Sequence, residues 1–215
     1  MTGAALRLGY ECEARERYRM DVCAAKIRIC EDVYEPAEDT WMTSEAVERL
    51  DGLHRVCVDI GTGTGAIAAC MKKICSYIIA IDVSPCAVRC ASTLIDALID
   101  VVQCDGVTCL RSDAATLLVF NAPYLPGEPR SIADISWHGG AEPVIRVLEA
   151  LSLWHSRCWT LLATLSSVSP AAKAIEYAES RGLHWERLKC LPEDFFVETC
   201  VYLFTPARCA SHRPR

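Results

Sequence analysis

The chain has 215 residues, 52% hydrophobic and 23% charged, with a net charge of −6 and a pI near 5.4. That is enough for one domain with a sizeable core, and it excludes an intrinsically disordered chain. The acidity argues against a broad basic face for long duplex DNA or large RNA, and no apolar run approaches the ~18 residues of a membrane span. Met1 to Tyr10 show no basic stretch followed by an apolar one, so the expected location is cytoplasmic. Fourteen cysteines occur without a C-x-x-C pair or a zinc-finger spacing to the five histidines. For most of them the expectation is a small buried hydrophobe; the alternative is disulfides of the kind found in hyperthermophile cytosol.

In chain order, residues 1–25 form a weakly specified arm, and Lys26–Val33 alternates as a short strand. A helix is expected from about Trp41 to Leu50, capped by Asp39 or Thr40 and closed by Gly52. Val56–Ile60 reads as a strand, followed by the turn Gly61-Thr62-Gly63-Thr64-Gly65 and a helix to about Lys73. Tyr77–Ile81 is the next strand and ends at Asp82, after which Ser84-Pro85 opens a helix to about Leu98. Val101–Cys104 runs to Asp105, and the apolar run Leu117–Phe120 runs to Asn121. Leu125–Gly140 reads as a long functional loop, Glu142–Arg157 as an amphipathic helix and Trp159–Leu165 as a fifth strand. A helix capped by Ser169-Pro170 and ended by Gly182 precedes two strands, His184–Cys190 and Thr199–Phe204, joined by a loop around Pro192. Alternating strands and helices predict a three-layer α/β sandwich with a mostly parallel seven-stranded sheet and an antiparallel C-terminal hairpin, as a single domain over residues 1–215.

Two stretches carry the chemistry. The loop from Asp59 to Ala66 satisfies both G-x-G-x-x-G/A, a dinucleotide fingerprint, and D-x-G-x-G-x-G, the first motif of class I methyltransferases. Its glycines let a ligand approach the backbone, and the following helix start offers N–H groups and a positive dipole end. Asp59, Asp82 and Asp105 at three successive strand ends make an acidic site, which suits a cationic sulfonium ligand better than a pyrophosphate. At the end of the apolar run stand Asn121-Ala122-Pro123-Tyr124. An amide oxygen, a neighbouring backbone carbonyl and a flat ring can grip a planar NH2 group.

That tetrapeptide resembles the Asn-Pro-Pro-Tyr signature of the amino-group methyltransferases, with Ala122 in place of the first proline. Together with Tyr34–Thr40, Gly139-Gly140 and Glu198–Phe204, the motifs fall in the order of the HemK-like glutamine methyltransferases, and are most similar to the short archaeal and eukaryotic branch. The resemblance implies a Rossmann-like class I methyltransferase fold. It implies that S-adenosyl-L-methionine is held by Thr40, Asp59, Gly61, Gly63, Gly65, Asp82, Asp105 and Asn121, and no metal is expected. It further implies that Asn121, Ala122, Pro123 and Tyr124 present a substrate amide, the glutamine of the Gly-Gly-Gln tip of a class I release factor. Members of this branch often work with a small zinc-binding activator subunit, for which an exposed apolar sheet edge would be the seat. Two other functions fit the same residues: adenine-N6 methylation of RNA or DNA, and cofactor binding without catalysis.

Overall fold

Cys57–Ile60 and Leu117–Phe120 are short apolar runs with every residue buried, as strands covered on both faces of a parallel sheet must be. They pair side by side in parallel and form the middle of a seven-stranded sheet. The protein, here as a computed structural model, is described over residues 12–125, 138–154, 158–167, 171–194 and 197–210. The elements are β1 (Glu16–Val22), β2 (Ala25–Cys30), α1 (Glu38–Glu48), β3 (Cys57–Ile60), α2 (Ala66–Met71), β4 (Ile78–Asp82) and α3 (Pro85–Ala91). They continue as β5 (Ile99–Gln103), β6 (Leu117–Phe120), α4 (Glu142–Ser152), β7 (Thr160–Ser166), α5 (Ala171–Ser180), β8 (Leu183–Asp194), β9 (Val197–Pro206) and α6 (Ala207–Ala210).

The sheet runs β5-β4-β3-β6-β7-β9-β8, parallel through β7 and antiparallel in the last two strands. The order of a mostly parallel sheet closed by a hairpin agrees with the sequence. Strand alternation sends side chains to two separate cores. Val58, Ile60, Leu118 and Phe120 meet Val144, Leu148 and Leu151 of α4 and Ala174 of α5. Cys57, Ile78, Leu117 and Val119 meet Met42 and Val47 of α1, the apolar face of α2, and Ile27 and Ile29 of β2. Each fully buried Leu or Ile contributes about 1.5–3 kcal/mol relative to exposure, so both layers hold the sheet. Among the described residues no helix is long and apolar enough to cross a membrane.

Several boundaries depart from expectation. β1 lies within the arm that reads as weakly patterned, and it pairs antiparallel with β2. Its residues are mostly exposed, so hydrophobic periodicity had little to mark it. Helix α1 begins at Glu38 rather than Trp41, which puts Asp39 and Thr40 inside its first turn and not at its cap. Helix α3 stops at Ala91 and a 3-10 turn follows over Ser92–Leu94, well short of Leu98. There Asp96 captures the Leu98 and Ile99 N–H groups at 2.8 and 3.0 Å and turns the chain into β5. Pro192 sits within β8, opposite Glu198 at a register irregularity, rather than in the connecting loop. β8 is an edge strand, where a missing N–H is tolerated. Most of the Leu125–Gly140 loop, the Ser169-Pro170 cap and the 155–157 end of the helix expected to Arg157 lie outside the described residues.

The largest correction concerns the cysteines. All fourteen pair, as Cys12–Cys86, Cys23–Cys70, Cys30–Cys90, Cys57–Cys75, Cys104–Cys109, Cys158–Cys209 and Cys190–Cys200. Many of these sulfurs are indeed buried among apolar side chains, but in pairs with Cα separations between 4.0 and 6.1 Å. Burial alone does not distinguish a lone thiol from half of a disulfide, and only the fold brings the partners together.

Candidate active site

Gly61, Gly63 and Gly65 connect β3 to α2 with φ of +64°, +55° and +84°, a region that side chains other than glycine seldom adopt. At Gly65 an added Cβ would lie 2.2 Å from Leu94 Cδ1, so a side chain there would have to push Leu94 aside. Beneath it, Asp59 Oδ2 accepts from Thr62 Oγ1 at 2.7 Å and from the Ala68 N–H at 3.0 Å. Asp59 is 1% exposed, and burial pushes its carboxyl up to about 7. The hydrogen bonds from Thr62 and Ala68 oppose that rise. Asp82, at the end of β4, accepts from the Gly63 N–H at 2.9 Å and from the Ser84 N–H at 2.8 Å, and burial raises its carboxyl as well. One carboxylate therefore ties the glycine loop to the next strand. Asp105 differs: it lies two residues beyond β5, in a turn, with its side chain exposed. The structure thus brings two of the three acids into a buried pair and leaves the third at the rim.

Asn121 follows β6 directly. Its Nδ2 donates to Asp39 Oδ2 at 3.0 Å and lies 3.5 Å from Thr40 Oγ1. A carboxylate only accepts, so Asp39 fixes the sense of the amide, with Nδ2 toward the carboxylate and Oδ1 turned away from it. That Oδ1 is buried and meets no donor among the described residues. A buried acceptor without a partner costs about 1–3 kcal/mol, which a ligand N–H would recover. Asp39 Oδ1 also accepts from Tyr34 Oη at 2.7 Å and the Thr40 N–H at 2.7 Å, and Tyr124 Oη lies 3.4 Å from Oδ2. Burial, with the Asp39 charge beside it, holds the Tyr34 hydroxyl well above the usual tyrosine range. Thr40 accepts from the Ala37 N–H at 3.3 Å, so its hydroxyl braces the first turn of α1 against Asn121. Ala122 is buried, and Pro123 and Tyr124 are partly exposed. Gly139 packs against Pro123 so closely that a Cβ there would stand 2.9 Å from the Pro123 carbonyl. The Gly139 N–H donates to the Leu125 carbonyl at 3.1 Å, clasping the two ends of the loop beside the tetrapeptide.

Asp39 is the residue that the sequence did not single out. It read as a helix cap, and its only linear signal was an acid next to Thr40. The site fits a methionine-derived sulfonium. Among the described residues Asp59 Oδ1 is buried without a donor, a place for an ammonium group, and Asp82 faces the same loop. Neither acid leaves room in charge for a pyrophosphate.

No family model matches the chain. It is 30% identical over 128 residues to Methyltransferase HEMK2 from Homo sapiens, covering 51% of this chain and 58% of that protein. It is 32% identical over 111 residues to a Methanocaldococcus jannaschii protein named as an N5-glutamine methyltransferase, covering 50% of this chain and 55% of that protein. The match therefore spans little more than half the length of these curated relatives. Among solved structures, the E. cuniculi Mtq2–Trm112 complex, described as responsible for methylating the eRF1 translation termination factor, superposes with a TM-score of 0.66 at 21% identity. That match covers 82% of this chain and 99% of the other. M. jannaschii TYW2 in complex with AdoMet gives a TM-score of 0.61 at 11% identity, covering 91% and 87%. On its sheet order, its glycine loop and these structures, the chain has the class I methyltransferase fold, and about half of it is similar in sequence to Methyltransferase HEMK2 and to the M. jannaschii protein.

Proposed function

We propose that the chain, acting as one methyltransferase domain over residues 1–215, uses S-adenosyl-L-methionine to methylate a planar amide nitrogen, the glutamine of the Gly-Gly-Gln tip of a class I release factor. The observation that carries this reading is the Asn121 amide, locked by Asp39, with a buried oxygen turned away from Asp39 that meets no donor among the described residues. The cofactor supplies an electrophilic methyl on a positively charged sulfur. Asp59, Asp82 and the Gly61–Gly65 loop, with Thr40 and Asn121 at the side and Asp105 at the rim, are the residues to hold it. A glutamine amide nitrogen is a poor nucleophile because its lone pair is delocalised into the carbonyl. Asn121 Oδ1 and the Ala122 carbonyl accept its two hydrogens and favour the pyramidal, more positive nitrogen of the transition state. Asp39, behind Asn121, polarises that amide and strengthens its oxygen as an acceptor. Tyr124 lays its ring along the flat group. The change from proline to Ala122 keeps the backbone carbonyl this requires.

A partner completes the reading. β5 is an edge of the sheet, and Ile95, Leu98 and Val102 beside it are 52%, 40% and 37% exposed. An edge that no described strand covers, with apolar side chains, suits strand addition by a small activator subunit, the zinc-binding type that the resemblance implies. A cytoplasmic location agrees with a translation substrate. The decisive assay incubates the chain, with and without an archaeal or eukaryotic activator, with labelled cofactor and purified release factor, and in parallel with RNA or DNA. Mass +14 on the Gly-Gly-Gln peptide is expected. Label on adenine would replace the reading, and label on neither would leave a cofactor-binding protein. Val102→Asp should weaken activator capture in size-exclusion chromatography; unchanged capture moves the seat elsewhere.

A further inference from the structure

Three of the seven disulfides run from the N-terminal hairpin to the helices that flank the glycine loop. Cys12 reaches Cys86 in α3, Cys23 reaches Cys70 in α2, and Cys30 reaches Cys90 in α3. Cys12, Cys30, Cys86 and Cys90 form one buried cluster with Ala14, and Val33 packs against it. From Cys30 the chain passes through 31–37 without regular secondary structure before α1 begins. This stretch walls the glycine loop: a Cβ on Gly63 would stand 3.9 Å from the Tyr34 carbonyl oxygen and 4.0 Å from Val33 Cγ1. One end of the wall is fastened through Tyr34 to Asp39, and the other through the two cystines to α3. Cys86 itself stands just after Ser84, whose N–H holds Asp82. We propose that the hairpin is a redox-released wall of the cofactor site, clamped when Cys12–Cys86 and Cys30–Cys90 are oxidised and loosened when they are reduced. The inference rests on the reading of the Gly61–Gly65 loop as the S-adenosylmethionine site.

The step is ordinary thiol–disulfide exchange with a dithiol reductant. A dithiol thiolate attacks one sulfur of the cystine, the S–S bond breaks, and the departing cysteine thiolate takes up a proton. The second thiol of the reductant then displaces the other cysteine and closes its own disulfide. Two electrons and two protons pass to each cystine, giving two cysteine thiols and one oxidised reductant. After release, 31–37 is still held to β1 by Glu35 with Arg17 and Tyr18, to the chain before β1 by the Glu31 N–H on the Arg15 carbonyl, and to α1 by Tyr34 with Asp39. No covalent link then fixes that unit to α3, and a site that must be ordered before binding holds its ligand less tightly.

The test titrates S-adenosylhomocysteine into the full chain by calorimetry, before and after dithiothreitol, with free thiols counted by mass spectrometry and folding followed by far-ultraviolet circular dichroism. The same is done for Cys30→Ser/Cys90→Ser and for Cys158→Ser/Cys209→Ser, whose cystine ties the start of β7 to α6. Expected is a rise in Kd of tenfold or more on reduction of the wild type. The Cys30→Ser/Cys90→Ser protein should already bind weakly when oxidised and respond less to dithiothreitol, while Cys158→Ser/Cys209→Ser responds like the wild type. An unchanged Kd with all thiols liberated overturns the proposal. So do fourteen free thiols in protein purified in air, a wild-type response in Cys30→Ser/Cys90→Ser, or global loss of the dichroism signal on reduction. Failure of the oxidised wild type to bind at all would instead bring down the cofactor reading itself.

Discussion

The glycine loop and the tip of β6 lie side by side, Gly61 against Phe120 at the ends of paired strands, yet they are built on different plans. In the loop, acceptors and donors lie close in sequence: Asp59 is served by Thr62 and Ala68, three and nine residues on. At the tip, Asn121 depends on Asp39, 82 residues earlier, on a helix that packs on one face of the sheet. The first region is a motif that carries its own instructions. The second is an assembly that exists only once α1 has docked. A single substitution should therefore disable one region and leave the other standing.

The largest separation is expected from Asn121→Ala. Removing one preorganised acceptor of a developing charge costs roughly 10²–10³ in kcat. S-adenosylhomocysteine binding, measured by calorimetry, should stay within a few-fold of wild type, and undiminished methyl transfer would reject the role of Asn121. Asp39→Asn is milder. The new amide can donate as well as accept, so the Asn121 amide loses its fixed sense, and about 10–100-fold in kcat should follow from one misdirected buried hydrogen bond. KM for the release factor should change less than kcat; the reverse would make Asp39 a binding residue and not a positioning one.

The loop is tested through pH. Asp59 holds its proton to about 7 in the folded chain, far above an unfolded aspartic acid. Between those two values the native state keeps a proton that the unfolded state has lost. Stability from this group therefore falls as pH rises through that window and is level above about 7, a change on the order of 4 kcal/mol. Urea midpoints from pH 5 to 8 should show the slope in the wild type and lose it in Asp59→Asn. An identical slope in both would assign it to other groups. The same variant should weaken cofactor binding while leaving the Asn121–Asp39 contact in place.

The same contrast explains what could be read in advance. Asp59 to Gly65, the strand Leu117–Phe120 and the cap Ser84-Pro85 are local patterns, and each lies where its spacing placed it. The sheet order follows from strands alternating with helices, because the connections between parallel strands leave few arrangements. Asp39 was hidden because two of its partners, Asn121 and Tyr124, are joined to it only by the tertiary fold. The disulfides were hidden for the same reason, with separations of up to 74 residues. Asp105 shows the converse. Its position past a strand suggested a buried acceptor, and the turn that holds it leaves it exposed.

The buried oxygen of Asn121, turned away from Asp39, also determines which side chains the proposed site must turn away. A glutamate in place of the glutamine would put a negatively charged oxygen where the NH2 group stood, against an amide oxygen and a backbone carbonyl, with the Asp39 carboxylate close behind. Nothing in that set can donate to it, and sites built around a missing donor reject the wrong isostere by about 10⁴–10⁵. If the proposed reading holds, a deamidated release-factor tip would leave this site unmodified, and methylation would mark only intact tips.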